Sequence, residues 1–379
     1  MGLSLRISEA MNKKNLIFLE NRTIRVPETY RESLGFTLGE FLKLTKNDGS
    51  EVVLQVAKAY NEDLQSGEMT AYVTEEIYNS FISKGFEIES VPEIMLGCDP
   101  EFFLVDSNTR RIMHAGKYFN KWDKMGHDGA IAEIRPDPST DIDVVLRNIR
   151  SLLLKGRKKL NNVGDFHVKM LARSAYNGIT AGFHLHFGLP PQLLGIAPFV
   201  GEINKQITQV LDYYVGLPCI LQEGIQDATR RCTTFVPYGK AGDFRLDSRT
   251  LEYRVPGAAL LKHPTLTRGL IATGALVVEN ALIRIKEASD NFECLENLTN
   301  NRLVSMYSKM PGALNLYSLI CVPNIDGALA YKDIILDDLR HMTGYEKRRS
   351  DIEAFFENLC TPITDDLTNN WGLNEASFH

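Results

Sequence analysis

The 379-residue sequence lacks several features that would assign it to a protein class at once. Its six cysteines form no CxxC pair, which in a chain of this length predicts reduced thiols in a cytoplasm rather than a disulfide framework. Basic residues are not in excess: 42 Lys and Arg against 48 Asp and Glu exclude a nucleic-acid binder that relies on bulk positive charge. The richest apolar stretch, 269–283, is interrupted by Thr273, Glu279 and Asn280, so no membrane span is predicted.

Common nucleotide-binding and hydrolase motifs are also missing. The sequence contains no GxxxxGK[ST] loop, no GxGxxG after a predicted strand and no GxSxG elbow, which argues against a P-loop, a Rossmann site and a serine hydrolase. The first residues have no continuous apolar core of a signal peptide, so we expect a cytoplasmic protein.

The pattern of predicted secondary structure changes near residue 92. Residues 1–92 contain short β-type runs separated by turn residues, and they predict a small β-rich, barrel-like module. The segment 24–44 resembles the hairpin pattern of AbrB-like and double-psi barrel modules, but its acidic surroundings disfavour DNA binding. Residues 93–379 are predicted to form a catalytic domain. Helices are expected from Thr140 or Asp141 to about Leu160 and near 191–215, 264–288 and 346–360, with a surface excursion from Thr361.

Four segments of this second region each carry two polar residues spaced two apart. Since strand side chains alternate faces, both members of a pair project from the same face. The residues between them are mostly apolar. An α+β fold is therefore predicted, with one sheet face covered by helices and one lined by Asp, Glu, His and Arg. The pairs are Asp99 with Glu101, Glu133 with Arg135, His184 with His186, and Glu252 with Arg254.

Such a face would hold mutually repelling carboxylates unless a cation neutralised them. Carboxylate oxygens with a histidine favour Mg²⁺ or Mn²⁺, whereas zinc prefers more nitrogen or sulfur ligands. The arginines suit an anionic ligand such as a phosphate, which a guanidinium group binds through two nitrogens. Any one pair alone is commonly a structural ladder pair, but four in one span of the chain favour a site.

Together and in order, the motifs resemble those of a known superfamily. LGCDPEFFLVD, GFHLHFG and TLEYRVPG are similar to three strands of glutamine synthetase, and the same trio occurs in glutamate–cysteine ligases. The set most resembles the phage-type COOH–NH₂ ligases, or amidoligases, of this superfamily, over roughly residues 93–290. The resemblance implies a glutamine synthetase-like domain with a mostly antiparallel sheet, following the small β-rich module.

The resemblance also implies roles for individual residues. It places metal ligands on the sheet, arginines that contact the phosphate or substrate, and residues near the nucleotide, substrate or amine. Asp99 departs from the glutamate of glutamine synthetase, and the ammonia-site signatures are not recognisable. The implied metal ligands are Asp99, Glu101, Glu133, His184 and Glu252. The implied catalytic arginines are Arg254, Arg245 and Arg249. The implied nucleotide- or substrate-binding residues are His186, Arg135 and Asp128.

The activity implied is ATP-dependent formation of an amide bond through an acyl phosphate, with Mg²⁺ or Mn²⁺ as the metal cofactor. The expected partners are a small-molecule or peptide carboxylate and an amine, with no nucleic acid and no membrane; a homo-oligomer is left open. Two alternatives stay open: a metal-dependent amide hydrolase or phosphohydrolase, and a non-catalytic binding or assembly protein with a ligase-like fold. The loops 110–128 and 222–240 are expected to contact substrates, but they match no template.

Overall fold

The computed structural model describes residues 4–13, 23–34, 36, 41–46, 51–63, 70–81, 86–91, 94–195, 197–232, 238–247, 249–290, 292, 294–322 and 324–374. The chain forms two compact units. The first comprises residues 1–94 with 189–193, and the second comprises 95–188 with 194–379.

The first unit contains a six-stranded mixed sheet. Its strand order is β1-β5-β2-β4-β3-β6, in which β1 with β5 and β2 with β4 run parallel. Alternating apolar side chains such as Leu42, Leu44, Leu54 and Val56 are fully buried in its core. The strands are β1 (Ser4–Ile7), β2 (Thr23–Val26), β3 (Phe41–Lys46), β4 (Glu51–Lys58), β5 (Thr70–Val73) and β6 (Phe86–Val91), with short helices α1 (Glu9–Asn12), α2 (Glu28–Leu34) and α3 (Glu75–Phe81).

The second unit is built on a seven-stranded sheet. The order is β14-β15-β13-β7-β9-β8, and β10 pairs with the last residues of β7. Every pair in this sheet is antiparallel, which confirms the predicted α+β class with an antiparallel sheet. The strands are β7 (Leu96–Asp106), β8 (Met125–Asp128), β9 (Ile131–Ile134), β10 (Val168–Leu171), β13 (Phe183–Gly188), β14 (Phe244–Leu246) and β15 (Thr250–Tyr253); β11 (Ala175–Tyr176) and β12 (Ile179–Thr180) form a separate hairpin.

The described residues of this unit also form helices. They are α4 (Ile142–Asn162), α5 (Pro198–Leu211), α6 (Leu217–Ala228), α7 (Pro264–Ala288), α8 (Arg302–Ser305), α9 (Ala313–Cys321), α10 (Ile325–Arg340), α11 (Tyr345–Asn358) and α12 (Leu367–Asn370). A π-helical turn, Asp212–Gly216, joins α5 to α6. The predicted cap of α4 is Asp141, whose carboxylate accepts a hydrogen bond from Asp143 N at 2.7 Å.

Helix α7 is the central helix of the core. A Cβ atom added at its Gly274 would lie 2.8 Å from the ring of Phe187 and 3.3 Å from Leu185, so the glycine lets the helix lie close to the apolar face of β13. By length and composition α7 is the one helix in the described part of the chain that is apolar enough to cross a membrane. Yet 78% of its most apolar window is buried inside the protein, as expected of a core helix.

The predicted surface excursion from Thr361 is wrong. Leu367 is fully buried, and Trp371 and Leu373 are 4% exposed. The indole N–H of Trp371 donates to Leu261 O at 2.8 Å, shortly before α7 begins at Pro264. From Leu367 the tail is therefore docked on the rest of the unit rather than solvated.

Candidate active site on the antiparallel sheet

Strand register places the polar pairs of the sequence on one face of the sheet. Directly opposed residues of antiparallel strands project to the same side. Asp99 lies opposite His184, and Glu101 lies opposite Glu133. Glu252 lies opposite His186, so strands β9, β7, β13 and β15 all contribute to one polar surface. The apolar residues of β13 lie on the other side, against α7.

Asp99, His186 and Glu252 form the centre of this surface. Each offers one ligand atom, and these atoms all lie within 4.8 Å of one another. His186 Nε2 is 3.3 Å from Asp99 Oδ1, and its Nδ1 is 3.4 Å from Thr250 Oγ1. This is the only group of its kind among the described residues. His186, which the resemblance placed near the nucleotide or substrate, therefore lies with two of the implied metal carboxylates.

Both ring nitrogens of His184 lie close to other side chains of the site. Its Nδ1 is 3.1 Å from Asp99 Oδ1 and 3.6 Å from Glu252 Oε1, and its Nε2 is 2.9 Å from the hydroxyl oxygen of Tyr238. Its side chain is only 4% exposed. Tyr238 was not among the residues singled out from the sequence, although it falls in the 222–240 segment that matched no template.

Glu101 is buried beside the same tyrosine. Its Oε2 accepts hydrogen bonds from Tyr238 Oη at 3.1 Å and from Gly182 N at 2.5 Å. Burial raises the pKa of Glu101, and these donors together with nearby His184 act in the opposite direction. The carboxylate is therefore held in one position by donors from two different segments of the chain.

Glu133 lies beyond Glu101 and forms an ion pair with Arg135. The guanidinium group of Arg135 also donates to the backbone oxygens of Lys121 and Asp123, both at 3.0 Å, so it joins β9 to the loop before β8. Burial raises the pKa of Glu133 to about 7, and the charge of Asp99 adds to the effect. A cation near this carboxylate would reverse that shift.

Two of the three implied arginines contact Glu252. Arg245 Nη2 lies 2.8 Å and Arg254 Nε 3.1 Å from Glu252 Oε1. Arg254 is 20% exposed, whereas Arg245 is 61% exposed at the edge strand β14. Arg249 lies in the turn before β15, where its backbone N–H donates to Asp247 at 2.7 Å. Arg254 also lies 5.6 Å from the centre of the Tyr238 ring, within the range of a cation–π interaction.

Asp128, implied to lie near the nucleotide, substrate or amine, lies at the end of β8 and is exposed. It is not one of the three residues whose ligand atoms converge, although its charge contributes to the raised pKa of Glu133.

The segment that carries Tyr238 is attached firmly to the rest of the unit. Arg230 Nη1 donates to Tyr238 O at 2.8 Å, and Arg231 Nε donates to Gly239 O at 2.7 Å. Further along, Gly242 N donates to the buried carboxylate of Asp212 at 2.7 Å. The guanidinium groups of Arg230 and Arg231 are fully buried and pair with the equally buried Glu223, so the support is rigid.

Asp99 is the most strongly stabilised anion of the site. Burial raises its pKa, but the imidazoles of His184 and His186 more than reverse this, and the net pKa of Asp99 is well below the usual value. Burial lowers the pKa of each histidine, whereas Asp99 raises it, and the net pKa of both is raised. Asp99 and the two histidines thus favour one another's charged forms.

The donor set fits a divalent cation. Asp99 Oδ1 and His184 Nδ1 are buried polar atoms without a well-formed hydrogen bond, an arrangement that costs free energy unless another partner is supplied. Two carboxylates and one imidazole within 4.8 Å are hard or borderline ligands of the kind that bind Mg²⁺ or Mn²⁺.

Comparison with known families identifies the second unit. A family model of phage phiEco32-like COOH–NH₂ ligases, type 2, matches residues 96–294, which is more than half of the chain. The chain belongs to this COOH–NH₂ ligase family. It is therefore an enzyme of the carboxylate–amine ligase class, and the resemblance inferred from the motifs is confirmed. The matched residues run from β7 past the end of α7 and include every implied site residue. No curated protein matches the sequence significantly.

Several solved structures are similar to the chain at low sequence identity. A bifunctional glutathione synthetase from Pasteurella multocida is 11% identical (TM-score 0.41; 74% of this chain, 48% of that chain). The Pup ligase PafA, in its complex with Pup, is 10% identical (TM-score 0.41; 71% and 64%), and the GmaS/ADP complex is 11% identical (TM-score 0.35; 86% and 100%). The chain spans about half of the glutathione synthetase and less than two thirds of PafA. The family assignment rests on the family match and not on these structures.

Proposed function

We propose that this COOH–NH₂ ligase is ATP-dependent and forms its amide bond through an acyl-phosphate intermediate. One observation carries the proposal: the three converging residues Asp99, His186 and Glu252 share a sheet face with two arginines that contact Glu252. Carboxylates that suit a divalent cation, next to guanidinium groups that suit phosphate, are what binding of a metal–nucleotide requires.

The chemistry explains why a ligase needs a nucleotide. Direct condensation of a carboxylate with an amine would have to expel a poor leaving group. In the proposed reaction an oxygen of the substrate carboxylate attacks the γ-phosphorus of ATP, the bond to ADP breaks and an acyl phosphate forms. The amine nitrogen then attacks the acyl carbon, the bond to phosphate breaks and the amine loses a proton. The products are an amide, ADP and inorganic phosphate.

Each residue of the centre has a defined part in this proposal. Asp99, His186 and Glu252 would hold Mg²⁺ or Mn²⁺, which when bound neutralises charge on the phosphates. His186 is proposed as a ligand because its Nε2 lies 3.3 Å from Asp99 Oδ1 and its ligand atom lies within 4.8 Å of those of both Asp99 and Glu252. Glu101, Glu133 and His184, which the motifs implied as ligands, extend the same surface and are proposed to hold or orient a further cation.

The arginines are proposed to stabilise the transferring phosphoryl group. Arg254 is fixed by Glu252 and by Asp243, whose Oδ1 is 3.8 Å from Arg254 Nη1, so its position is set before substrate binds. A donor that is already in place stabilises the developing charge without further reorganisation. Arg245, on the exposed edge strand, is proposed to contact the outer part of the nucleotide or substrate, and Arg249 to lie near it. Arg135 and Asp128 are proposed to border the substrate side.

The test is ADP release with Mg²⁺-ATP and pooled carboxylates and amines, small molecules and peptides included. ADP formed only when both pools are present would support the ligase. ADP formed with water alone, or amide cleavage without nucleotide, would instead indicate a hydrolase. Asp106→Asn is a suitable control, because Asp106 terminates the same strand β7 but caps a loop through Asn108 N and Thr109 N.

A further inference from the structure

Tyr238 lies between Glu101 and His184, two buried residues next to the group formed by Asp99, His186 and Glu252. Its hydroxyl group donates to Glu101 Oε2 at 3.1 Å, and its oxygen is 2.9 Å from His184 Nε2. Both partners are less than 5% exposed. His184 in turn lies 3.1 Å from Asp99, so one phenol connects two strands of the site to the central carboxylate.

The donors and acceptors of these side chains fix the direction of each hydrogen bond. A carboxylate only accepts, and Glu101 Oε2 also accepts from Gly182 N, so the phenol proton is directed to Glu101. The phenol oxygen is then the acceptor that faces His184 Nε2. With Nε2 donating to the tyrosine, the other ring nitrogen of His184 is directed at Asp99 Oδ1 and Glu252 Oε1.

Gly182 leaves room for the contact between Tyr238 and His184. A Cβ atom added at Gly182 would lie 2.6 Å from His184 Nε2 and 3.0 Å from Tyr238 Oη. Any other residue would thus intrude on the two atoms that meet there. Because the same glycine donates its N–H to Glu101, the space and the third hydrogen bond come from one residue.

We propose that Tyr238 is a positioning residue of the metal centre, which orients Glu101 and His184 so that the imidazole faces Asp99 and Glu252. The inference rests on the proposed function, since it concerns the cation of that same site. Tyr238 acts through its two partners rather than by touching substrate. Partners behind a metal site fix the orientation of the ligands and typically change metal affinity or activity by about 10–100-fold when they are removed.

The test is Mn²⁺ binding to the full chain without nucleotide or substrate, followed by electron paramagnetic resonance of the free ion. Tyr238→Phe keeps the ring beside Arg254 but removes both hydrogen bonds, and it is expected to raise the Kd for Mn²⁺ by about tenfold or more. Gly182→Ala, which keeps the phenol but inserts a Cβ atom between the partners, is expected to raise the Kd in the same direction. Gly182→Ala therefore tests the proposal even if Tyr238→Phe does not fold.

The matched control is Tyr214→Phe. Tyr214 is also buried and donates to a carboxylate, Asp338 Oδ2 at 2.6 Å, but it lies among the helices away from the sheet face. Its substitution is expected to lower thermal stability and leave the Kd unchanged. If wild-type protein binds Mn²⁺ and Tyr238→Phe binds it equally well, the positioning role is overturned. If wild-type protein binds no Mn²⁺, the proposed metal centre fails, and the role of Tyr238 fails with it.

Discussion

Glu252 lies directly opposite His186 across strands β15 and β13, and both side chains face the side of the sheet that holds Asp99. This pairing brings together two residues that are 66 positions apart in the chain. It places an imidazole and a carboxylate next to a second carboxylate and next to the guanidinium groups of Arg245 and Arg254. The proposed roles of these residues can be tested separately.

The first prediction concerns the central carboxylate. Asp99→Asn keeps the shape of the side chain but removes the charge that the two histidines stabilise. Mn²⁺ affinity should fall by more than the roughly 10–100-fold typical of losing an outer partner. Isothermal titration of Mn²⁺ measures this, with Asp106→Asn as the control on the same strand. Equal Mn²⁺ affinity in the two variants would remove Asp99 from the metal site.

The second prediction concerns Arg254. Arg254→Lys keeps the positive charge but loses the planar fork, so it should lower kcat by on the order of 10²–10³, as for loss of a single pre-placed donor, with a smaller effect on KM for ATP. Steady-state ADP formation measures both constants.

Arg268→Lys provides the comparison for Arg254→Lys. Arg268 also pairs with carboxylates, those of Asp143 and Asp351, but it lies on α7 outside the sheet face. Its substitution should leave kcat unchanged. Wild-type turnover in Arg254→Lys would leave a metal site without an arginine in the mechanism.

The third prediction concerns the identity of the metal. A donor set of two carboxylates and one imidazole should give activity with Mg²⁺ or Mn²⁺ and little with Zn²⁺. Activity is measured after chelator treatment and addition of each metal in turn. Full activity accompanied by one zinc ion that resists the chelator would contradict the prediction.

The fourth prediction concerns the pH dependence of stability. Burial raises the pKa of Asp212 from 3.8 to about 7, against hydrogen bonds from Tyr253 and Gly242. Between these two pH values the folded chain retains a proton that the unfolded chain has lost. Raising the pH therefore lowers the free energy of unfolding until about pH 7, above which this contribution no longer changes.

Asp212→Asn removes this dependence, because its amide can accept from Gly242 N and donate to the oxygen of Tyr253. The free energy of unfolding of Asp212→Asn minus that of wild type should therefore increase by about 3 kcal/mol from pH 5 to pH 8, at about 1.4 kcal/mol for each unit of pKa. Urea unfolding at the two pH values measures the gain. A difference from wild type that is the same at both would show that Asp212 ionises normally in the folded chain.

The fifth prediction concerns the predicted domain boundary near residue 92. None of the proposed metal ligands or arginines lies in residues 1–92. A truncated protein that begins at Ile94 should therefore fold and bind Mn²⁺ with wild-type affinity. Circular dichroism establishes folding, and Mn²⁺ titration follows. A folded truncated protein that has lost Mn²⁺ binding would show that the first module contributes to the site.

The strands of the site could be predicted from the sequence because each carries its own period-two pattern. Pairs such as Asp99 with Glu101 and His184 with His186 need only the alternation of a strand to share a face. The role of each histidine could not be predicted in the same way. It depends on register across strands distant in sequence: His184 lies opposite Asp99, His186 lies opposite Glu252, and the ligand atoms of His186, Asp99 and Glu252 converge.

Tyr238 was missed for a different reason. It lies outside helices and strands, where no periodicity indicates the direction of a side chain, and its position depends on buried support from Arg230 and Arg231. The docked tail had a local signal, since Leu367 and Trp371 are spaced four apart as on one face of a helix. The acidic composition of the segment instead led to the prediction of a solvent-exposed excursion.

The acyl phosphate is tested most directly by following oxygen. Pooled carboxylates labelled with ¹⁸O in both carboxylate oxygens are incubated with the enzyme, Mg²⁺-ATP and the amine pool, and the released phosphate is analysed by mass spectrometry. Attack of the carboxylate on the γ-phosphorus predicts one ¹⁸O atom in each phosphate and one in the amide. Phosphate without label, formed alongside the amide, would contradict the acyl-phosphate mechanism.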